Sequence, residues 1–521
     1  MEKKEKHTLE FYGTNYLSLA PLIAFVFFCI LFFVIYKDFE MEAICMGGFV
    51  SLIVGSLLAK KKGDYWNAVV KGMSSEMMNT LALILLVVGI FGKMMTRAGV
   101  AEGFVWIGEQ MGLKGGAFVA FSFIATCLLS TSTGTSIGTL FTGFPILYPS
   151  GILLGANPVM LAGAILSGAI FGDNVAPISD TTIASASSQA YTRKKGCADI
   201  GGVVASRMKY ALVAGALAVV CFALFGGSGS TSEQAAELLS QYSDPKGLIM
   251  LIPVVILLTI AVKTQNIFVA STWGIISGSI IGIISGTLVP GDVISMQDGA
   301  LSGFCIDGIK NMLGTVGYLY AVAGVIGVLN ESGTMEKIIE KLVNSKLNKT
   351  VVGSEIIMGI GIMLTSICLG SANGPAIIMF GPIADEIGKS KGLHPYRRAN
   401  LLDGFASTLP VIIPVTSSFI FIAVSCVESA AAEYDFISVI SPVSIAISTL
   451  HCIFLFVVFC VAVFTGWGRR YEGPDGRPVK KEAAAIERDR DLQIRKGLQI
   501  PFFFLPDQIF FLACGVSMVY S

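Results

Sequence analysis

Long apolar runs separated by short polar connections extend along most of the chain. Examples are Tyr16–Tyr36, Leu81–Ile90, Tyr210–Phe225 and Ile437–Phe464. Because a helix that crosses a bilayer needs about 20 mostly apolar residues, many such runs in one chain are typical of a membrane protein. The pattern predicts an all-α polytopic membrane protein of about 11–12 spans.

The composition agrees with this assignment. Of the 521 residues, 54% are hydrophobic and 14% are charged, and the mean hydropathy is +0.74. A soluble domain has about 25% charged residues. The 36 basic and 36 acidic residues cancel, so we expect no nucleic-acid partner. The histidines, His7, His394 and His451, form no ligand cluster, and no nucleophile or metal motif is present, so we expect neither an enzyme nor a cofactor.

The distribution of basic residues predicts the orientation. Three lysines precede the first apolar run, Lys60–Lys62 follow the second, and Tyr191–Lys209 is also basic, whereas Gly226–Asp244 has acids and no base. Since basic residues near span ends mark the cytoplasmic side, we expect a multi-pass protein of the inner (plasma) membrane with a cytoplasmic N-terminus. The lipid bilayer is then its immediate environment.

The chain contains an internal repeat. The segment Leu81–Gly99 resembles Tyr318–Gly333, and the apolar runs that follow each of them end in the matching polar segments Ser130–Ser136 and Gly370–Pro375. The charges at the ends of the two copies have opposite signs, which predicts that the copies are inserted in opposite senses. Inverted repeats are a hallmark of transporters that alternate access between the two sides of a membrane.

The repeat sets the predicted domain organisation. An N-terminal two-helix segment (1–60) is followed by inverted repeat 1 (61–226). Connecting helices (227–295) then lead to inverted repeat 2 (296–466). The chain continues as a charged tail with a C-terminal apolar segment (467–521). The apolar composition of residues 500–520 favours a further span, whereas Pro501 and Pro506 weaken a helix there, so the sequence leaves this span open.

Four segments at membrane depth interrupt the helical pattern. They are Ser130–Ser136, Gly172–Thr182, Gly370–Pro375 and Leu409–Ser418, and all are rich in Gly, Pro, Ser, Thr or Asn. Unwound backbone survives at this depth only inside protein or beside water. We therefore predict that each repeat contains a re-entrant helical hairpin and a broken transmembrane helix, which together surround a polar chamber.

Carboxylates on these segments are the leading candidates for function. Asp173 and Asp180 lie on the first broken helix, and Asp403 precedes the second break. A carboxylate inside a membrane is costly and marks a functional site by default, although Asp173 and Asp180 could also cap half-helices. The full set of candidate ion- or substrate-binding residues is Thr133, Gly134, Thr135, Ser136, Asp173, Asn174, Ser179, Asp180, Thr181, Thr182, Ser371, Asn373, Asp403, Thr416 and Ser417.

Two motifs in the first repeat resemble a known family. The sequences TSTGTSIGT (Thr131–Thr139) and FGDNVAPISDTTIASAS (Phe171–Ser187) are similar to the signature of the NhaC-type sodium/proton antiporters, which belong to the ion-transporter superfamily. The resemblance covers roughly residues 15 to 465 and implies paired hairpins with broken helices. It also implies ion-binding roles for particular residues, namely Asp173, Asp180, Thr181 and Thr182, with Asp403 as the acid of the second half.

Departures from the family pattern leave the substrate open. The family commonly has Lys and Ser where this chain has Asn174 and Ala176, and Pro410–Thr416 lacks the family's Trp. The leading hypothesis is a Na⁺/H⁺ antiporter with Asp173 and Asp180 as Na⁺ ligands, Na⁺ and H⁺ being transported ions and not cofactors. The alternative is Na⁺- or H⁺-coupled transport of a small organic anion or amino acid, such as malate/lactate exchange. Superfamily analogy predicts a homodimer.

Overall fold

The computed structural model describes residues 9–36, 41–227, 242–264, 266–297 and 299–480. The C-terminal apolar segment 500–520 lies outside the described residues. In the described part, helices form nearly all of the regular structure. They are α1 (Ala20–Ile30), α2 (Met41–Leu58), α3 (Lys62–Met73), α4 (Glu76–Arg97), α5 (Val100–Met111), α6 (Gly116–Thr133), α7 (Ser136–Leu153), α8 (Pro158–Val175), α9 (Asp180–Ser187), α10 (Ile200–Phe225), α11 (Leu251–Thr264), α12 (Ile267–Ser285), α13 (Pro290–Val293), α14 (Phe304–Glu331), α15 (Thr334–Val343), α16 (Val351–Cys368), α17 (Asn373–Ser390), α18 (Pro395–Ala406), α19 (Leu409–Ile412), α20 (Ser418–Ala431), α21 (Pro442–Ser448) and α22 (Leu450–Thr465).

Short irregular elements complete the chain. Single turns of 3₁₀ helix occur at Asn15–Leu19, Pro245–Met250 and Lys346–Lys349, and a π-helical segment, Leu31–Tyr36, follows α1. Two antiparallel strand pairs are present, β1 (Ser295–Gln297) with β2 (Ala300–Ser302) and β3 (Tyr471–Glu472) with β4 (Pro478–Val479).

The helices have the length and composition of membrane spans. Among the described residues, nine are long and apolar enough to cross a bilayer, and the pair Pro442–Ser448 and Leu450–Thr465, bent by 51°, would make a tenth. Shorter apolar helices occur at Tyr16–Ile30, Pro245–Ala261 and Ser418–Ala431. The predicted all-α polytopic fold is therefore confirmed, while the figure of 11–12 spans stays a prediction.

The two predicted copies have matching helix boundaries. Helices α6 and α7 correspond to the predicted first hairpin, and α8 and α9 to the first broken helix. In the second copy, α16 and α17 correspond to the hairpin, and α18 to α20 to the broken helix. The second arms of the hairpins begin at Ser136 and Asn373, and the broken helices begin at Pro158 and Pro395, each pair being 237 residues apart (373 − 136 and 395 − 158). Pro at the first turn is favoured in a helix because its missing N–H would be unpaired there anyway. The helix ends at these interruptions thus match the sequence pattern, while the re-entrant hairpins and broken transmembrane helices themselves stay predictions.

The first helices of the two copies, α4 and α14, run antiparallel. Near the start of α4, Asn79 accepts a hydrogen bond from Tyr320 in the second half of α14 (2.9 Å). At the other end of α4, Arg97 pairs with Asp307 in the first turn of α14 (2.7 Å). Opposite directions are what inverted copies require. The inversion of the whole unit, like the domain boundaries, stays a prediction.

Close packing of α8 on α6 holds the first broken helix in place. A Cβ on Gly168 would lie 2.0 Å from Thr126 Oγ1, and one on Gly172 would lie 2.5 Å from the backbone nitrogen of Thr131. Only glycine allows the two helices to approach this closely. The contact fixes the last turn of α8, which carries Asp173, against the first hairpin.

Candidate functional site

The first helix break lies against the tip of the first hairpin. Helix α8 ends at Val175, residues 176–179 are unwound, and α9 begins at Asp180. At the hairpin tip, Gly134 has φ = +67°, and a Cβ there would lie 2.7 Å from Ile178 Cγ1 and 3.2 Å from the backbone nitrogen of Ser179. The positive φ and the lack of space for a Cβ both require glycine at position 134. The close contact brings the first hairpin tip and the first helix break together.

Asp173 lies in the last turn of α8 and is buried, with 8% of its surface exposed. Its carboxylate accepts hydrogen bonds from Ser136 Oγ (3.0 Å) and Ser179 Oγ (2.7 Å). The hydroxyl groups of Ser179 and Thr181 are 3.0 Å apart. The hairpin, the unwound stretch and α9 therefore contribute oxygen atoms to one small cluster around Asp173.

Asp180 occupies a different environment, because its side chain is exposed to a cavity of about 690 Å³. One carboxylate oxygen accepts a hydrogen bond from the backbone N–H of Thr181 (2.8 Å). The other faces the second hairpin, where a Cβ on Gly374 would lie 2.9 Å from it. Asp180 is thus at the contact between the first broken helix and the tip of the second hairpin. Thr133, Gly134 and Thr135 also line the cavity.

Asp403, on α18, is fully buried and forms an ion pair with Arg207 of α10. It also accepts hydrogen bonds from Thr182 Oγ1 (3.4 Å) and Ser407 Oγ (3.5 Å). The acid of the second copy is therefore joined to α9 of the first copy. Unlike Asp403, neither Asp173 nor Asp180 forms an ion pair with any residue that the structure describes.

Arg207 is the functional candidate that the sequence interpretation missed. Its guanidinium donates from Nε to Asn400 Oδ1 (3.0 Å), from Nη1 to the carbonyl oxygen of Asn174 (2.5 Å), and from Nη2 to Ser185 Oγ (3.3 Å). The basic stretch 191–209 is typical of a cytoplasmic boundary, but α10 begins at Ile200, so Arg207 lies two turns inside a helix. The sequence signal that places Arg207 inside a helix is Asp199, a residue type that favours helix starts. Its side chain caps α10 by accepting a hydrogen bond from the backbone N–H of Gly202 (2.7 Å).

The tip of the second hairpin is held by Ser371 and Asn373. Ser371 adopts φ = +65°, which is unusual for a residue other than glycine, and donates to the carbonyl oxygen of Pro410. With its NH₂ group facing acceptors, Asn373 donates to the carbonyl oxygens of Ala406 (3.0 Å) and Ser371 (3.2 Å). These bonds fix the second hairpin to the second broken helix.

The remaining candidate threonines and Ser417 form no hydrogen bond with the three acids in the described structure. Ser417 caps α20 by accepting from Ile420 N (3.3 Å), and the buried hydroxyl of Thr416 has no hydrogen-bond partner among the described atoms. Thr133 donates to the carbonyl oxygen of Leu129 (3.0 Å), and Thr135 caps α7. Among the candidate residues, hydrogen bonds to the acids are donated by Ser136 and Ser179 to Asp173, by Thr181 to Asp180, and by Thr182 to Asp403.

The arrangement of acids and hydroxyl groups at the helix interruptions is that of a membrane transporter. Buried carboxylates and hydroxyls, gathered where apolar helices are interrupted, are the arrangement by which transporters hold ions at membrane depth. The chain is a multi-pass membrane transporter. Residues 10–193 match the sequence model of the Na⁺/H⁺ antiporter family. The resemblance to the NhaC-type antiporters is thus confirmed over the part of the chain that contains the first hairpin and the first broken helix.

Three relatives agree with this assignment. A malate-2H⁺/Na⁺-lactate antiporter of Bacillus subtilis is 26% identical over 59% of this chain, and the alignment covers 66% of that relative. An uncharacterised Na⁺/H⁺ antiporter of Haemophilus influenzae is 24% identical over 72% of this chain and 83% of its own length. The Na⁺/H⁺ antiporter NhaC of Alkalihalophilus pseudofirmus is 30% identical over 26% of this chain and 30% of its own length.

Proposed function

We propose that this protein is a secondary active Na⁺/H⁺ antiporter that works by alternating access. The observation that carries the proposal is the pair Asp173 and Asp180, two carboxylates at an interrupted helix that form no ion pair in the described structure. The matched family model and the two relatives with Na⁺/H⁺ antiporter names support the same choice.

The cluster around Asp173 has the chemistry of a sodium site. It offers oxygen ligands only, from the Asp173 carboxylate and the hydroxyl groups of Ser136 and Ser179. Na⁺ in transporters is held by such oxygens at unwound helix segments. A carboxyl group removed from water favours its protonated form, so a proton and a sodium ion compete for the same oxygens. Competition of this kind is the basis of exchange.

Asp180 connects the site to water in this scheme. Its carboxylate is exposed to the cavity and also touches the tip of the second hairpin at Gly374. An ion that enters the cavity meets Asp180 first and reaches Asp173 next. Movement of the hairpins against α4 would then close this cavity and open the opposite side, which is the rocking motion expected of inverted repeats.

The end of the molecule that holds residues 9–16 is proposed to face the cytoplasm of an inner-membrane protein. Lys60 pairs with Glu10 (3.0 Å), Lys71 pairs with Glu331 (2.5 Å), and Lys341 donates to the hydroxyl of Tyr16 (3.1 Å) at this end. Basic residues collect on the cytoplasmic side of membrane proteins.

The decisive experiment is the substitution Asp180→Asn in inverted membrane vesicles. We expect Na⁺-dependent proton movement to fall at least about tenfold, a loss of about 1.4 kcal/mol or more, because a neutral amide does not attract the ion that enters the cavity. Asp199→Asn is the matched control, since Asp199 is exposed, caps α10, and Asn caps equally well. Exchange by Asp180→Asn at the rate of the control would refute the proposal.

A second candidate is Na⁺- or H⁺-coupled exchange of organic acids. It is favoured by the name of the Bacillus subtilis relative, a malate-2H⁺/Na⁺-lactate antiporter. Uptake of labelled malate or lactate into proteoliposomes against a sodium gradient tests it. Sodium-dependent proton movement without any added organic acid would support the leading proposal over this one.

A further inference from the structure

The cavity at Asp180 is much larger than an ion requires. Its volume is about 690 Å³, and it lies between the first half of α4, the tip of the first hairpin, the first helix break and the turn between α11 and α12. Pockets that bind drug-sized organic molecules have volumes of about 300–1,000 Å³. The space is therefore sufficient for an organic ligand that touches Asp180.

The wall of the cavity is mostly apolar. Hydroxyl and amide groups are contributed by Thr80, Thr133, Thr135 and Asn266, and the rest of the described lining consists of Leu81, Ile84, Gly134, Ile137, Gly138, Ile178, Ile183, Ala261 and Ile267, together with Asp180. Branched aliphatic side chains bring no benefit to a hydrated ion. They favour a ligand that has an apolar body of its own.

The charge of the residues that line the cavity favours a ligand of opposite charge. Asp180 is the one ionisable residue among the described residues that line the cavity. Arg207, the basic residue that contacts the end of α8, does not line the cavity, is fully buried and is paired with Asp403. An anionic ligand would meet a single like charge here, whereas a cationic ligand would meet an opposite one.

At two helix N-termini beside the cavity, side chains already accept hydrogen bonds from backbone N–H groups. At the start of α7, the N–H of Gly138 is bonded to Thr135 Oγ1 (3.3 Å). At the start of α12, the N–H groups of Phe268 and Val269 are bonded to Asn266 Oδ1 (3.0 and 3.2 Å). Side-chain caps thus occupy N–H donors that would otherwise attract a carboxylate.

We propose that this cavity binds a second class of substrate, an organic ammonium ion with one positive charge and an apolar body. The ammonium group lies at the Asp180 carboxylate, and the body packs on the aliphatic wall formed by Leu81, Ile84 and Ile183. Because an entering Na⁺ meets the same carboxylate in the proposed scheme, the organic cation and Na⁺ exclude each other there. The inference shares Asp180 with the proposed Na⁺/H⁺ exchange but does not require that exchange to occur.

The test uses benzyltrimethylammonium, a permanent cation with a compact aromatic body, in radiolabelled form. Binding is measured on the purified full-length chain in detergent, with competition by NaCl, benzyl alcohol and benzoate. We expect saturable binding that NaCl displaces and that neither the neutral nor the anionic competitor displaces at equal concentration. Binding of benzoate in preference to the cation, or no saturable binding at all, would overturn the proposal.

Variants separate this inference from the proposed function. Asp180→Asn should weaken binding of benzyltrimethylammonium at least about tenfold, and Leu81→Ala should weaken it about fivefold through lost apolar contact. Asp173→Asn should lose Na⁺-dependent proton movement yet still bind the probe, because Asp173 does not line the cavity. If the probe binds equally to wild type and Asp180→Asn, the proposed site is wrong, whatever the result for Na⁺/H⁺ exchange.

Discussion

Arg207 shows how a charged residue can be placed inside an apolar bundle. All three of its nitrogen atoms donate hydrogen bonds, to groups on α8, α9 and α18. A buried ion pair is stable only when the remaining donors and lone pairs are also satisfied. Here the partners lie on α8, α9 and α18, so Arg207 joins the three helices that carry Asp173, Asp180 and Asp403.

Removal of the guanidinium should therefore destabilise the protein strongly. Arg207→Gln leaves Asp403 buried without its partner, and we expect a loss of about 3–5 kcal/mol in the free energy of unfolding. The double variant Arg207→Gln with Asp403→Asn should recover much of this loss, since no isolated charge remains. Thermal unfolding of the purified protein measures both, with the exposed Arg477→Gln as control. Equal melting temperatures for Arg207→Gln and wild type would contradict this account.

The hydroxyl partners of Asp173 should affect sodium affinity. Ser136→Ala removes an oxygen 3.0 Å from the carboxylate, and we expect the half-saturating Na⁺ concentration for exchange to rise about tenfold. Ser132→Ala is a matched control on the same hairpin, because Ser132 is exposed and donates only to its own helix at Leu128. The same Na⁺ dependence in both variants would remove Ser136 from the proposed ion site.

Among the individual residues of the candidate site, the sequence predicted the acids better than their partners. Asp173 and Asp180 stand out because a carboxylate within an apolar run is costly wherever it lies. Arg207 does not stand out, since a basic residue near Lys209 and Arg193 is typical of a cytoplasmic boundary. Only the packing of α10 against both broken helices distinguishes it, and that packing depends on residues nearly 200 positions apart.

The contact between α6 and α8 is the element on which the first half of the site depends. Gly172 lies one residue before Asp173, and a Cβ there would lie 2.4 Å from Ser130 Cβ and 2.6 Å from the carbonyl oxygen of Cys127. Backbone cannot move aside as a flexible side chain can. A larger residue must separate the helices and displace Asp173 from Ser136.

Gly172→Ala should accordingly impair both stability and ion binding. We expect a loss of about 1–3 kcal/mol in the free energy of unfolding and a clear rise in the half-saturating Na⁺ concentration. Gly63→Ala on α3 is the control, because nothing lies within 4 Å of the added methyl group. Thermal unfolding and vesicle exchange assays are the measurements, and wild-type values for Gly172→Ala would show that the helices can separate freely.

Element boundaries at the breaks were predictable because their causes are local. Gly134 at positive φ and the proline-containing unwound segments determine backbone conformation within a few residues. The second break was predicted less completely, because the structure places the short helix α19, Leu409–Ile412, within it. Pro410 suits the first turn of such a helix, but whether a single turn forms depends on packing and not on the four residues alone.

Over the whole molecule, α4 of the first copy is joined to the end of the second broken helix by one ion pair. Lys93 is buried, with 4% of its side chain exposed, and its Nζ lies 2.5 Å from Glu433 Oε2. Alternating access requires the broken helices to move relative to α4. Under the proposed alternating-access mechanism, the pair stabilises the conformation described here, in which Thr80 and Asp180 line one cavity.

Loss of this pair should shift the balance between conformations. In Lys93→Met we expect the labelling of a cysteine placed at Thr80, on the cavity wall, by a membrane-impermeant maleimide to slow about fivefold. Lys71→Met is the matched control, since the Lys71–Glu331 pair, also 2.5 Å, joins α3 to α14 and touches neither broken helix. Faster or unchanged labelling in Lys93→Met would exclude this role for the pair.

The pairing of Arg207 with Asp403 also bears on how the protein responds to voltage. A membrane potential acts on net charge, at about 2.3 kcal/mol per elementary charge for each 100 mV. Two opposite charges held together experience almost no net force, however far the helices that carry them travel. If Asp173 and Asp180 hold the transported ions, as proposed, the membrane potential acts on these two carboxylates and on whatever occupies them, so the cargo itself decides which way the field pushes.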